Sequence, residues 1–232
     1  MSISAIGMIV CASLILLLRD WRLTLPILAL HYLCLAAFLV RQGLITADLH
    51  VAGIGIGTPI IAKCIAGGAA TLILAVTALT FSRDYGLEHL DEFSLTELRR
   101  AARRAQQQAA RPFRPTDYLL PAVTLLLVAL ASIALPLLYP VGGPQVDLVW
   151  YWLGLSGLFT LAIAGDLLKA GNGLLLIVSS ADLLYTSAAS SLQVFPLLLI
   201  DVTTIVLALT IAYLSGLMYA RLKTLDLESL FQ

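Results

Sequence analysis

The chain has 232 residues, of which 60% are hydrophobic and 12% charged, and its mean hydropathy is +0.96. A soluble globular domain carries about 25% charged residues, so this composition excludes one and indicates an integral membrane protein. Fourteen basic and fourteen acidic side chains balance to a formal charge of zero, and where they lie says more than their sum.

Seven apolar stretches follow one another at about 3–18, 23–40, 57–81, 118–139, 148–165, 172–190 and 195–220. Each is close to the ~20 residues that carry a helix across ~30 Å of hydrocarbon. No basic residue precedes the first stretch and no small-residue cleavage site follows it, so it is expected to remain in the mature protein. Cys11, Cys34 and Cys64 fall inside apolar runs without a paired spacing and read as small hydrophobes. Between the second and third stretches, Gly53, Gly55 and Gly57 suggest a flexible approach to Pro59. The third contains Lys63. An amine at that depth is costly unless it meets a partner or water, which marks it as a functional candidate.

The segment from Ser82 to Asp117 divides a three-span half (1–81) from a four-span half (118–232). It begins acidic and turns basic, and Ser94-Leu-Thr-Glu97 has the form of a capping box. A short helix from about Leu95 to Ala109, stopped by Pro112 and Pro115, fits both the cap and the helix dipole. Such a charged linker suits either a solvated helix at the headgroups or a docking strip for a cytoplasmic partner. Its acids nearly balance its bases, which argues against nucleic acid.

In the sixth stretch, Ser179, Asp182, Thr186 and Ser190 recur at three- and four-residue steps and share one helical stripe. Ser180 and Ser187 flank it. In the seventh, Asp201 and Thr204 share a side that Ala208 and Ser215 continue with small residues. Polar groups of this kind either glue helices together or line a path for ions or protons. Lys63, Asp182, Asp201, Ser179, Thr186 and Thr204 are therefore the candidate proton-path residues. A Lys–Asp contact that opens and closes changes proton affinity at depth, because burial and pairing act oppositely on the charged forms.

The basic residues give an orientation. With the N-terminus outside, twelve Lys and Arg lie on the inner side, Lys169 among them, and Arg41 alone lies on the outer side. The positive-inside rule then predicts seven spans, N-out and C-in. Soluble catalytic signatures are missing: there is no phosphate loop after a strand, no nucleophile elbow and no metal-ligand spacing among His31, His50 and His89.

From Gly154 to Leu168, through Gly173 and the polar sixth stretch to the tail Leu225-Asp-Leu-Glu-Ser-Leu230, the second half resembles the three-helix K subunit of bacterial complex I. The whole chain, with Gly7-Met-Ile-Val, Arg22-Leu and Pro59-Ile-Ile-Ala-Lys63, is similar to the N-terminal half of component E of hydrogenase-4-type membrane-bound NiFe hydrogenases. In that family a K-like domain, here from about residue 148, follows extra helices. The resemblance implies a membrane-arm subunit of a complex I-related respiratory or hydrogenase complex in a bacterial or archaeal cytoplasmic membrane. Such a subunit lies among antiporter-like subunits and contributes to their proton-translocation path. It binds no cofactor itself; a NiFe centre, Fe-S clusters or quinone belong to the redox module of the same complex. The family's intramembrane Lys matches Lys63. Its acids do not transfer directly: the K subunit's Glu falls at Leu175, the component E acid at Val178, and Asp182 stands one turn further on. Asp201 likewise stands two residues before the acid expected on the last helix, near Val202–Thr203. Two other readings accompany this one. The chain is a non-conducting scaffold of such a complex, or an independent small-molecule transporter, although unlike halves of three and four spans do not form the repeats that transporters show.

Overall fold

A computed structural model describes the chain except for residues 19, 45–48, 52–53, 88–115, 190–193 and 223–232. The expected helix at 95–109, Gly53 and Ser190 lie outside the described residues. Seven helices are described: α1 (Ile3–Leu17), α2 (Trp21–Arg41), α3 (Thr58–Leu87), α4 (Thr116–Leu138), α5 (Pro144–Ala162), α6 (Leu167–Ala188) and α7 (Val194–Leu222). Two short strands, β1 (Leu49–Val51) and β2 (Ile54–Ile56), precede α3.

Local chemistry sets these boundaries. Ser2 caps α1 by accepting from the Ala5 amide at 3.2 Å, and Asp20 caps α2 by accepting from the Arg22 amide at 3.0 Å. The expected flexible approach to Pro59 is instead an antiparallel hairpin, with Leu49 opposite Ile56, His50 opposite Gly55 and Val51 opposite Ile54. Gly57 ends it, and its carbonyl accepts from the Ile60 and Ile61 amides to open α3. At α5, Gly143 and Pro144 start the helix, and proline at the first position suits a turn whose amides lack helical partners. The sixth span begins at Leu167, five residues before its expected start at 172. The Asp166 carboxylate accepts from the Lys169 amide at 2.6 Å and caps the helix there. Lys169, expected in an inner loop, is therefore a buried residue of the first turn of α6.

The two halves do not form separate bodies. Helices α1, α2, α3, α7, α6 and α5 make a closed ring in that order, with α1 packed on α5 and α3 packed extensively on α7. Helix α4 lies outside it against α5 and α1, and α6 also reaches α1 and α2. Helices α5 and α6 touch through their backbones: a Cβ on Gly157 would stand 2.7 Å from the Gly173 carbonyl oxygen, and one on Gly173 would stand 2.8 Å from that of Gly157. Small residues allow this approach where lipid supplies no hydrophobic drive between helices.

Five of these helices, α2, α3, α4, α6 and α7, are long and apolar enough to cross a membrane by length and composition. The chain is a helical membrane protein. Helix α1 is apolar but has 15 residues, and α5 carries Asp147 among Trp150, Tyr151 and Trp152 in its first half. The outward face of α4 is aliphatic and that of α7 is mainly apolar, with Phe195 and Tyr213 among its leucines and valines, whereas α6 is the most enclosed of the five, with Leu175, Leu176 and Leu183 fully buried. The exterior is thus apolar, and the buried charged groups lie inside the bundle within an otherwise apolar core.

Candidate functional site

The amine in the second turn of α3 and the carboxylates of α6 and α7 converge. Lys63 Nζ lies 2.7 Å from Asp182 Oδ2 and 3.4 Å from Asp201 Oδ1. Lys63 and Asp182 are each 3% exposed and Asp201 6%. All three lie within about 10 Å, or two helical turns, of the helix ends nearest the hairpin. Ring closure puts them there. Helix α3 packs on α7 and α7 on α6, so one side chain from each neighbour meets in the same interior.

The surrounding hydroxyls play a narrower part than the stripe pattern suggests. Ser179 donates to the Leu175 carbonyl at 3.0 Å, Thr186 to the Asp182 carbonyl at 2.7 Å and Thr204 to the Ile200 carbonyl at 3.0 Å. Their hydrogens are held within their own helices, a habit of Ser and Thr in mid-helix, and their remaining lone pairs act only as acceptors. Ser180 does act as interhelical glue, donating to the Trp150 carbonyl on α5 at 2.7 Å, while Ser187 bonds its own helix.

The sequence reading missed one member. Tyr32 on α2 is buried, and its hydroxyl lies near the Ser179 and Thr204 hydroxyls and within the field of Asp182 and Asp201, with no hydrogen bond of good geometry among the described residues. Its ring rests on Gly67, where a Cβ would collide with the ring. Gly67 is one turn beyond Lys63 on the same face of α3, so the glycine admits the tyrosine to the site. A tyrosine in the middle of an apolar stretch, opposite a Gly67-Gly68 pair, was the available signal. Asp182 Oδ1 and Asp201 Oδ2 also lack partners among the described residues.

A second polar group lies toward the opposite end of α6. Lys169 Nζ donates to the Leu16 carbonyl at 3.1 Å, and the Asn172 amide donates to Thr24 Oγ1 at 3.4 Å. Leu28, Leu175 and Leu176, each fully buried, occupy the turns between Thr24 and Tyr32 on α2 and between Asn172 and Ser179 on α6. Leu175, the position of the K subunit's Glu, thus belongs to an apolar layer between two polar clusters. His31 packs edge-on to Tyr32 with ring centroids 5.6 Å apart, and both its nitrogens lack partners among the described residues. No group of three or more His, Cys, Asp and Glu suited to a metal ion occurs among the described residues.

No family model, no curated protein and no solved structure matches this chain. The chemical character of the site therefore rests on its own geometry. It holds one amine against two acids, with three oxygens unpartnered among the described residues, in the interior of a membrane bundle.

Proposed function

We propose that the chain is a proton-handling subunit of the membrane arm of a complex I-related respiratory or hydrogenase complex. Its antiporter-like neighbours complete the path, and the redox module of the same complex holds the NiFe centre, Fe-S clusters or quinone. The observation that carries this reading is Lys63 shared between Asp182 and Asp201 across three helices, with 2.7 and 3.4 Å contacts. One ammonium cannot neutralise two carboxylates, and an uncompensated charge at membrane depth costs several kcal/mol. A proton that enters and leaves the acid pair resolves the imbalance, and the strength of the Lys63 contacts then follows its position. In this reading all seven helices span the cytoplasmic membrane of a bacterium or archaeon, N-terminus outside and C-terminus inside, which puts the triad nearer the outer surface. The apolar layer at Leu28, Leu175 and Leu176 closes the inward route within this chain, so continuation passes laterally through neighbouring subunits.

The scaffold reading has its own support: Lys63 ties α3, α6 and α7 together as a staple in a resting structure. The double variant Lys63→Met with Asp182→Asn separates the two, since it removes the tightest pair and leaves Asp201 as a single acid that one proton neutralises. Assembly is followed by native gel and pumping by dye quenching in the same inverted vesicles. A conducting subunit assembles normally and loses pumping together with electron transfer. Wild-type pumping in the assembled double variant overturns the proposal in favour of the scaffold. Cysteine labelling at positions 90–110 in intact cells tests orientation, and labelling from outside overturns it.

A further inference from the structure

Tyr32 makes no hydrogen bond of good geometry through its hydroxyl among the described residues. Its ring fills the space above Gly67, as a phenylalanine would, yet the oxygen is buried and unpartnered among the described residues and lies at the cluster. Burying a hydroxyl without a hydrogen bond costs about 1–3 kcal/mol, so the group requires a reason. Its neighbours define one. Ser179 and Thr204 have committed their hydrogens to backbone carbonyls and present lone pairs only. Lys63 is directed at Asp182 and Asp201. Cys64 of α3 stands on the Asp201 side, and His31 meets the Tyr32 ring edge-on. The phenol hydrogen is thus not committed to a backbone carbonyl of its own helix, and the acceptors around it belong to α6 and α7.

We propose that the acid pair holds one proton and that Tyr32 is the group that carries it between Asp182 and Asp201. This rests on the reading of the triad as a proton site. In the transfer, the Asp201 carboxylic acid gives its proton to the Tyr32 oxygen while the Tyr32 O–H gives its own to Asp182. One O–H bond breaks and one forms at the phenol, which ends neutral, and the proton has moved from α7 to α6. The Lys63 ammonium then tightens on the newly ionised Asp201 and loosens from Asp182. The unpaired Oδ1 of Asp182 and Oδ2 of Asp201 are the acceptor and donor positions that this exchange needs.

Infrared difference spectroscopy of the full chain in lipid nanodiscs, across a pH titration in water and in heavy water, tests the inference. The expected wild-type spectrum contains a carboxylic-acid carbonyl band that moves on deuteration and is lost or displaced in Asp182→Asn and in Asp201→Asn. Tyr32→Phe, which keeps the ring on Gly67, is expected to displace that band while leaving helix content unchanged. No acid band assignable to the pair, or a band at its wild-type position in Tyr32→Phe, overturns the inference. Should Tyr32→Phe fold poorly, ring-labelled tyrosine in the unsubstituted chain gives the same answer. A tyrosine C–O band moving with the midpoint of the acid band supports the relay, and one that stays fixed through that step overturns it. Proton flux is a separate measurement. If the bands respond as expected and the Lys63→Met/Asp182→Asn complex still pumps, only the conducting function fails.

Discussion

At the hairpin end of α6 an amine meets two acids, and toward its other end an amine and an amide meet a backbone carbonyl and a hydroxyl. Both ends are buried, and both join α6 to other helices. The difference is in what is left over. Among the described residues the hairpin end sets two acids on one amine and leaves three oxygens of ionisable groups without a hydrogen bond, while at the other end one contact of Lys169 is to an orphan carbonyl at the end of α1 and the oxygen without a bond is that of the neutral Asn172. Burial of a charged group is thus no indication of function by itself. An imbalance among partners is the more telling sign, because it leaves a buried group whose charge the described partners do not offset.

The comparison breaks first at Lys63. Lys63→Met leaves two acids facing each other in the bundle, with an expected loss of about 3–5 kcal/mol, the scale for removing one partner of a buried ion pair. The thermal midpoint in detergent checks this, and Lys63→Met with Asp182→Asn is expected to recover part of the loss, since Asp201 still lacks its amine. Wild-type stability of Lys63→Met would show that the contacts contribute little. Next in size is Gly157→Val. The side chain would enter the space of the Gly173 carbonyl, and overpacking of this kind costs about 1–3 kcal/mol or more. Native-gel migration and thermal midpoint read it. Helix α5 would separate from α6 while the triad, built from α3, α6 and α7, keeps its acid band.

At the opposite end, Lys169→Met removes a donor from the buried Leu16 carbonyl, with an expected cost of about 1–3 kcal/mol in the same thermal assay. Under the proposed function, proton pumping by the assembled complex is expected to stay at the wild-type level. Loss of pumping with assembly intact would place this end on the path too and erase the distinction between the two ends.

Much of the fold was legible because lipid simplifies the sequence. Apolar length alone placed seven helices close to their observed bounds, since every backbone polar group in hydrocarbon must be bonded internally. Boundaries failed where capping overrode hydropathy: Asp166 begins α6 ahead of its apolar run and takes Lys169 into the bundle. The pairing at His50 and Gly55 was hidden by glycines that suit a loop as well as a hairpin. The individual acids and amine of the site were legible from their rarity in apolar surroundings. That Lys63 meets both Asp182 and Asp201 was not, because it depends on α7 closing the ring against α3, a contact between distant parts of the chain. Tyr32 was missed for the same reason: its meaning comes from Gly67 and from neighbours on α6 and α7, and α2 carries no polar stripe to announce it.

The smallest expected effect lies at the turn between α4 and α5, on the side of the bundle that holds the triad. Asp147 is buried in the first turn of α5, and its Oδ1 accepts from the Gly142 amide at 2.8 Å and from the Val141 amide and Trp150 Nε1 at 3.3 Å. A carboxylate at this position satisfies amides of the turn and favours the positive end of the helix. Asp147→Ala removes an acceptor from all three donors, but Val141 and Gly142 are exposed and their amides have access to water, so an expected cost of about 1 kcal/mol follows the scale for helix caps. Asp147→Asn keeps an acceptor oxygen and is expected to lose less. In both variants the acid band of Asp182 and Asp201 stays in place, because none of the hydrogen bonds of Asp147 reaches the triad. A displaced band in Asp147→Ala, with the helix content unchanged, would show that the turn and the site move together, and the hairpin end would then have to be treated as one coupled polar region.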